Sequence, residues 1–273
     1  MPNRDHNRRI AFTLIELLVV VAIIALLISI LMPALGQARA SGKLAVCASN
    51  LRQLGTGIHA YAIEYAGFIP RGPEPEPDNP YDFTANTVAT NQLWIGVEGM
   101  GPPPAHPREY QGLGCLLTTT CPDPKVYYCP ADDIADRTHE LPKIGTDQDA
   151  YSSYLYRQLD HLSPDYSRGL LDELGTNEFD DQVIRVEALA LDMNSLGPGT
   201  YYHSNHNAKT ANILYRDASV RRYQNRDNCL AIPPEIFANP LDVFTAIDQL
   251  LSNADFAYHH GHPADGPRLP DWP

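Results

Sequence analysis

The run from Phe12 to Met32, FTLIELLVVVAIIALLISILM, constrains everything that follows it. Of its 21 residues only Thr13, Glu16 and Ser29 carry polar side chains. At 1.5 Å of rise per residue, a helix of that length crosses the roughly 30 Å hydrocarbon core of a bilayer. No other stretch is apolar for so long. The sequence therefore predicts one spanning segment near the N-terminus, with the rest of the chain on one side. Arg4, Arg8 and Arg9 against Asp5 give residues 1–11 a net charge of +2. Short basic flanks of this kind stay on the cytoplasmic side.

Glu16 is the anomaly in that run. A carboxylate inside a spanning helix costs roughly 3 kcal/mol on insertion scales, so it calls for a partner or a function. The plain reading is a residue near the helix end whose side chain reaches the interface. The surrounding pattern, Arg8-Arg9, Ile10-Ala11 and Phe12-Thr13-Leu14-Ile15-Glu16, resembles the leader and cleavage site of the type IV prepilin and type II secretion pseudopilin family. The resemblance extends over residues 8–65 and implies a set of roles. A prepilin peptidase would cut between Ala11 and Phe12 on the cytoplasmic side and methylate the new amino terminus. Glu16 would become the fifth mature residue and pair with the Phe12 amine of a neighbouring subunit. Pro33 falls at the 22nd mature position, where the family helix commonly carries a proline. The family usually has glycine before the cut, and Ala11, also small, stands there in this chain.

Two other readings of the N-terminus stay open. Arg8-Arg9 and Ala38-Arg39-Ala40 could be the basic region and cleavage site of an ordinary secretory signal, which would release a soluble protein. Against this, the apolar run exceeds the roughly 7–15 residues of a signal core, and Glu16 interrupts it. The remaining reading is an uncut single-pass anchor.

The chain has 273 residues, and a cut after Ala11 leaves 262, enough for one sizeable domain or two small ones. Removing the leader's three arginines and one aspartate from 20 basic and 33 acidic residues leaves 17 and 32, a net of −15. So acidic a body argues against binding nucleic acid through phosphates. The 24 prolines and 18 glycines point to a loop-rich exported domain rather than a helical bundle.

Beyond Pro33 the helix is expected to continue. Leu44, Cys47, Leu51, Leu54, Ile58, Tyr61 and Tyr65 recur at spacings of three and four, the seam of an amphipathic helix. Arg39, Lys43, Arg52, Gln53 and Glu64 lie off that seam. Gly67 is a plausible stop, and Ile69-Pro70 cannot readily continue the helix. The glycines Gly36, Gly42, Gly55 and Gly57 weaken it, and a bend is expected near Pro33. The division is thus a leader over 1–11, a spanning and assembly helix over 12–32, its amphipathic continuation over 33–67, and an exported domain over 68–273. The resemblance implies an α+β, pilin-like fold: the long helix packed on an antiparallel sheet with loop-rich insertions. Within the family, the run CASNLRQLGTGIHAYAIEYAGFIP from Cys47 to Pro70 looks like the branch abundant in planctomycete-type bacteria.

Residues 70–80 and 99–107 are proline-rich connections. Leu93-Trp94-Ile95 between them suits a short strand or a helix edge, with Trp94 in the core or at a subunit contact. Lys125 to Pro130 reads as a short strand. Val183 to Asp192 reads as one central strand, and Ala211 to Tyr223 as a hairpin turning at Asp217-Ala218-Ser219. This hairpin is similar to a C-terminal family signature with nine residues between a histidine and an Asp-Gly turn. Here ten residues separate His206 from Asp217, and Ala218 replaces the glycine. A left-handed turn residue at Ala218 would carry a penalty. Asn239-Pro240 should open a helix whose buried face is Leu241, Phe244, Ile247, Leu250 and Leu251.

Of the five cysteines, Cys115, Cys121 and Cys129 are the candidates for a disulfide, and the odd number leaves at least one thiol unpaired or paired to another chain. No C-x-x-C occurs, so no metal site is expected on them. Asp192 with His203 and His206 could form a metal or acid–base cluster, but hydrogen bonds pinning a loop to the hairpin are the plainer reading. Asp132, Asp133 and Asp136 are the one calcium candidate, against the plainer reading of an acidic turn. No other cofactor is expected. His259-His260-Gly261-His262 falls in a Pro- and Gly-rich tail expected to be disordered. There is no P-loop, no G-x-S-x-G, no H-E-x-x-H and no dinucleotide fingerprint, and enzyme activity is not supported.

As the resemblance has it, the chain is a pilin-like structural subunit of a type II secretion pseudopilus or a type IV pilus. Its partners would be a prepilin peptidase, other pilin subunits and the bacterial inner membrane, with its C-terminal domain in the periplasm or a surface filament. The rival class is a membrane-anchored exported ligand-binding domain.

Overall fold

A single helix, α1 (Leu14–Glu64), runs for 51 residues with Pro33 inside it. It ends where the sequence predicts. Gly67 adopts φ 91° and its amide reaches back to Ala62 O at 2.7 Å, closing the last turn. The computed structural model describes residues 14–71, 89–96, 109–132, 137–157, 169–179, 182–192, 194–195, 203–232 and 240–263. The chain divides into two compact units, Met1–Gly42 and Lys43–Pro273, so α1 contributes to both. Through the first unit every described residue of α1 is exposed. In the second unit the helix becomes amphipathic. Cys47, Leu51, Leu54 and Ile58 of the predicted seam are fully buried. Tyr65, at its end, is exposed and stacks on Tyr61 at 4.1 Å.

Around that helix the second unit builds a six-stranded sheet from β1 (Ala89–Ile95), β2 (Glu109–Tyr110), β3 (Ala150–Arg157), β6 (Ala188–Asp192), β9 (Thr210–Tyr215) and β10 (Val220–Gln224). The order is β10-β9-β6-β3-β1-β2, and every pairing is antiparallel. Two small ribbons stand apart: β4 (Thr176–Phe179) with β5 (Gln182–Arg185), and β7 (Asn194–Ser195) with β8 (His203–Ser204). A short α2 (Arg137–Glu140) precedes β3, and α3 (Pro240–His260) closes the described chain. The fold is α+β and pilin-like.

The sheet is buried on both faces. Side chains alternate along a strand, and on β3 Tyr154 and Tyr156 join the α1 seam, with Leu189 and Leu214, in one core. Leu155 on the opposite face joins Leu191, Ile213 and Tyr215 beneath Leu250, Leu251, Ala254 and Ala257 of α3. Hydrogen bonds from Tyr215 Oη to Ala254 O (3.2 Å) and from Tyr223 Oη to Ala257 O (3.0 Å) pin α3 down. Leu250 and Leu251 of the expected α3 face are buried and Ile247 partly so; the side chains of Leu241 and Phe244, and Asn239 altogether, lie outside the described residues. The helix also runs further than expected, carrying His259 and His260 in its last turn. There His259 Nε2 meets Arg185 O at 3.1 Å and His260 stacks on Phe256.

Two predicted strands resolve differently. Lys125–Tyr127 lies in a 3₁₀ turn, because Pro124 opens it and Asp123 caps it by accepting from the Lys125 amide at 3.0 Å. The single strand expected over 183–192 is two, β5 and β6, broken at Val186-Glu187. The break is held by Asp255 of α3, whose Oδ1 accepts from the amides of Glu187 (2.8 Å) and Ala188 (2.7 Å).

Gly55 and Gly57 do not merely weaken α1. A Cβ on Gly55 would lie 2.7 Å from Leu214 Cδ1, and one on Gly57 would lie 3.0 Å from Cys121 Cβ. Both positions let the helix approach the sheet and the 112–121 segment closely. The hairpin turn forms where predicted, and Ala218 does carry a left-handed φ of 60°. Replacing Ala218 with glycine should stabilise the domain by about 1 kcal/mol, the steric penalty of that conformation. Urea unfolding measures it, and a lowered midpoint would contradict the turn geometry.

Candidate functional site

The N-terminal site residues fall on α1 or just before it. Glu16 sits in the first turn of the helix, on an exposed apolar surface, and Pro33 lies one residue past the spanning run. Ala11 and Phe12 lie outside the described residues. From Leu14 onward α1 is long and apolar enough to cross a membrane.

The expected disulfide set is dispersed. None of the five cysteines is joined in a disulfide. Cys115 Sγ lies 3.2 Å from Arg71 O, Cys121 packs beside Gly57, and Cys129 turns to another part of the fold. Of the calcium candidates, Asp132 is described, while Asp133 and Asp136 lie outside the described residues.

Cys129 belongs to a cluster that spacing could not reveal. Cys47, Cys129, Asp192 and His206 place one donor atom each within 4.8 Å of one another. Cys47 comes from the α1 seam, and Cys129 follows the 3₁₀ turn before Pro130. Asp192 ends β6, and His206 sits in the 3₁₀ turn Asn205–Ala208 with a φ of 55°. Cys47 Sγ donates to Asp192 Oδ1 at 2.6 Å. His206 Nε2 lies 3.4 Å from both Cys129 Sγ and Asp192 Oδ2. Around these, Asn212 donates to Asp192 Oδ2 from its backbone (2.8 Å) and side-chain (2.9 Å) nitrogens. The Ala131 amide donates to Cys129 Sγ at 3.4 Å. Asp192 and Cys47 are 0% exposed, Cys129 3% and the His206 side chain 4%.

The electrostatics follow from that burial. Burial drives the Cys47 thiol far up, aided by Cys129 and Asp192. For Cys129 the hydrogen bond shared with Cys47 is the largest influence; it outweighs burial and, with His206, brings the thiol down to about 7. Burial alone would lower the His206 imidazole, but its bonds to Asp192 and Cys129 together raise it to about 9. Asp192 and His206 were read together from sequence, whereas the two cysteines were assigned elsewhere. The only signal for Cys47 was its place on a seam bound to be buried. The side chain of His203 lies outside the described residues.

A long N-terminal helix, apolar enough to span a bilayer and then serving as one layer of an α+β domain, is a pilin-like arrangement. Residues 6–32 match the prokaryotic N-terminal methylation motif, and the N-terminal segment is therefore of the prepilin type shared by pilins and pseudopilins. No curated protein and no solved structure matches the chain.

Proposed function

We propose that the chain is a structural subunit, cut between Ala11 and Phe12 by a prepilin peptidase, methylated on Phe12 and assembled with other pilin-type subunits into a filament. A type II secretion pseudopilus or a type IV pilus is the assembly such a subunit serves. The leader lies in the cytoplasm and the α+β domain on the far side of the inner membrane, in line with the basic flank. The carrying observation is the methylation motif at residues 6–32, which runs into the long helix that begins at Leu14 and has Glu16 in its first turn. Burying that carboxylate among apolar helices is unfavourable unless a cation joins it, and a neighbour's new amino terminus supplies one. Mass spectrometry of the mature N-terminus is the test. N-methylated Phe12 is the expected result. An intact Met1 in cells with an active processing peptidase, or a start at Ser41, overturns it.

A further inference from the structure

We propose that Cys47, Cys129, Asp192 and His206 are the four ligands of a structural zinc ion buried between α1 and the sheet. Two thiols, an imidazole and a carboxylate are a zinc donor set; thiolates select zinc over the hard cations calcium and magnesium. The spacing suits it too. Bonds of about 2.0–2.3 Å to a tetrahedral ion put neighbouring ligand atoms roughly 3.3–3.8 Å apart. His206 Nε2 lies 3.4 Å from both Cys129 Sγ and Asp192 Oδ2. Cys47 Sγ and Asp192 Oδ1, at 2.6 Å, are closer than that edge, and an ion held between them would draw them out to it.

Burial makes the case stronger. Metal-free, the cluster packs two thiols, a carboxylate and an imidazole together with almost no access to water, where each polar group needs a partner. As a dication binds, the two thiols and the imidazole release their protons to solvent, and the ion offsets two of the three negative charges that the thiolates and the carboxylate then carry. The surroundings are already those of a metal site. Asn212 fixes the Asp192 carboxylate with two hydrogen bonds, and the Ala131 amide points at Cys129 Sγ. Such outer partners orient ligands and tune the ion. A surface depression lined in part by Asn50, Lys125, Tyr128 and Cys129 gives a way in. With four protein ligands and no open position the site is structural. It joins four elements far apart in the chain, so the ion acts as a clip closing long loops.

Full-length protein, purified in detergent without chelators or metal-charged resin, should contain about one zinc per chain by elemental mass spectrometry. Exchange for cobalt(II) should give the intense visible bands of a tetrahedral ion with thiolate-to-cobalt charge transfer in the near ultraviolet. Cys47→Ala and Cys129→Ala should each lower zinc content at least about tenfold, while Cys115→Ala should leave it at one. Should a variant fail to fold, the cobalt spectrum of the unaltered protein still decides. Wild-type protein that takes up neither metal, or a Cys47–Cys129 disulfide recovered from it, overturns the assignment.

Discussion

Asp255→Ala should lower the stability of the second unit by roughly 3–5 kcal/mol, the usual result of removing one member of a buried ion pair. Asp255 and Arg157 are both 0% exposed, and Arg157 Nη2 donates to Asp255 Oδ2 at 2.8 Å. The other carboxylate oxygen accepts the amides of Glu187 and Ala188, while Arg157 Nε donates to Ala188 O at 2.9 Å. Truncation therefore leaves a guanidinium and two backbone N–H groups buried without their acceptor, and each is costly to strand. For a body of this size, about 2–4 °C of melting temperature goes with each kcal/mol, so a drop on the order of 10 °C is expected. Trp94, almost buried and donating to Thr146 O at 3.1 Å, reports the transition by fluorescence. Asp255→Asn keeps an oxygen for the two amides and should fall between. A melting temperature unchanged in Asp255→Ala would show that α3 is not tied to the sheet through this pair.

The second large effect belongs to the other unit. Glu16→Ala should be processed normally yet enter filaments on the order of a hundredfold less often than the unaltered chain. The proposed cut between Ala11 and Phe12 lies four residues earlier, so the peptidase would still meet its site. Assembly, in contrast, would leave the Phe12 amine of a neighbour without its carboxylate in an apolar setting. That loss is worth several kcal/mol, and each 1.4 kcal/mol is a factor of ten. Immunoblotting of the sheared filament fraction, beside the mature N-terminus of the membrane pool, separates the two steps. Incorporation equal to wild type would sink the pairing mechanism even if methylation at Phe12 were found.

How much of this was visible in the residues alone depends on the range of the forces involved. The spanning run and the α1 seam were legible because a helix repeats its environment every three to four positions. The hairpin was legible because its turn residues and its two strands are contiguous. At Lys125 to Tyr127 the strand-prone Val126 and Tyr127 misled, since a local signal, proline after a capping aspartate, outweighed them. The break between β5 and β6 was invisible, because the group that holds it, Asp255, comes nearly seventy positions later. The cluster of Cys47, Cys129, Asp192 and His206 was hidden for the same reason. Its members stand 82, 63 and 14 positions apart, and no short-range spacing rule reaches across such gaps. Asp192 and His206, the nearest two, were the pair read together. Cys129 was drawn instead to the cysteines close to it in the chain.

The two glycine notches in α1 have a mechanical corollary. Leu214 occupies the space at Gly55, and sliding the helix along its own axis by one turn would present Leu51 or His59 to that slot instead. Either would have to push the Leu214 side chain aside, since a Cβ there already lies 2.7 Å from Leu214 Cδ1. The two notches therefore favour a single register of the lower half of α1 against the strands and the 112–121 segment, and a slip by one turn would cost repacking at both.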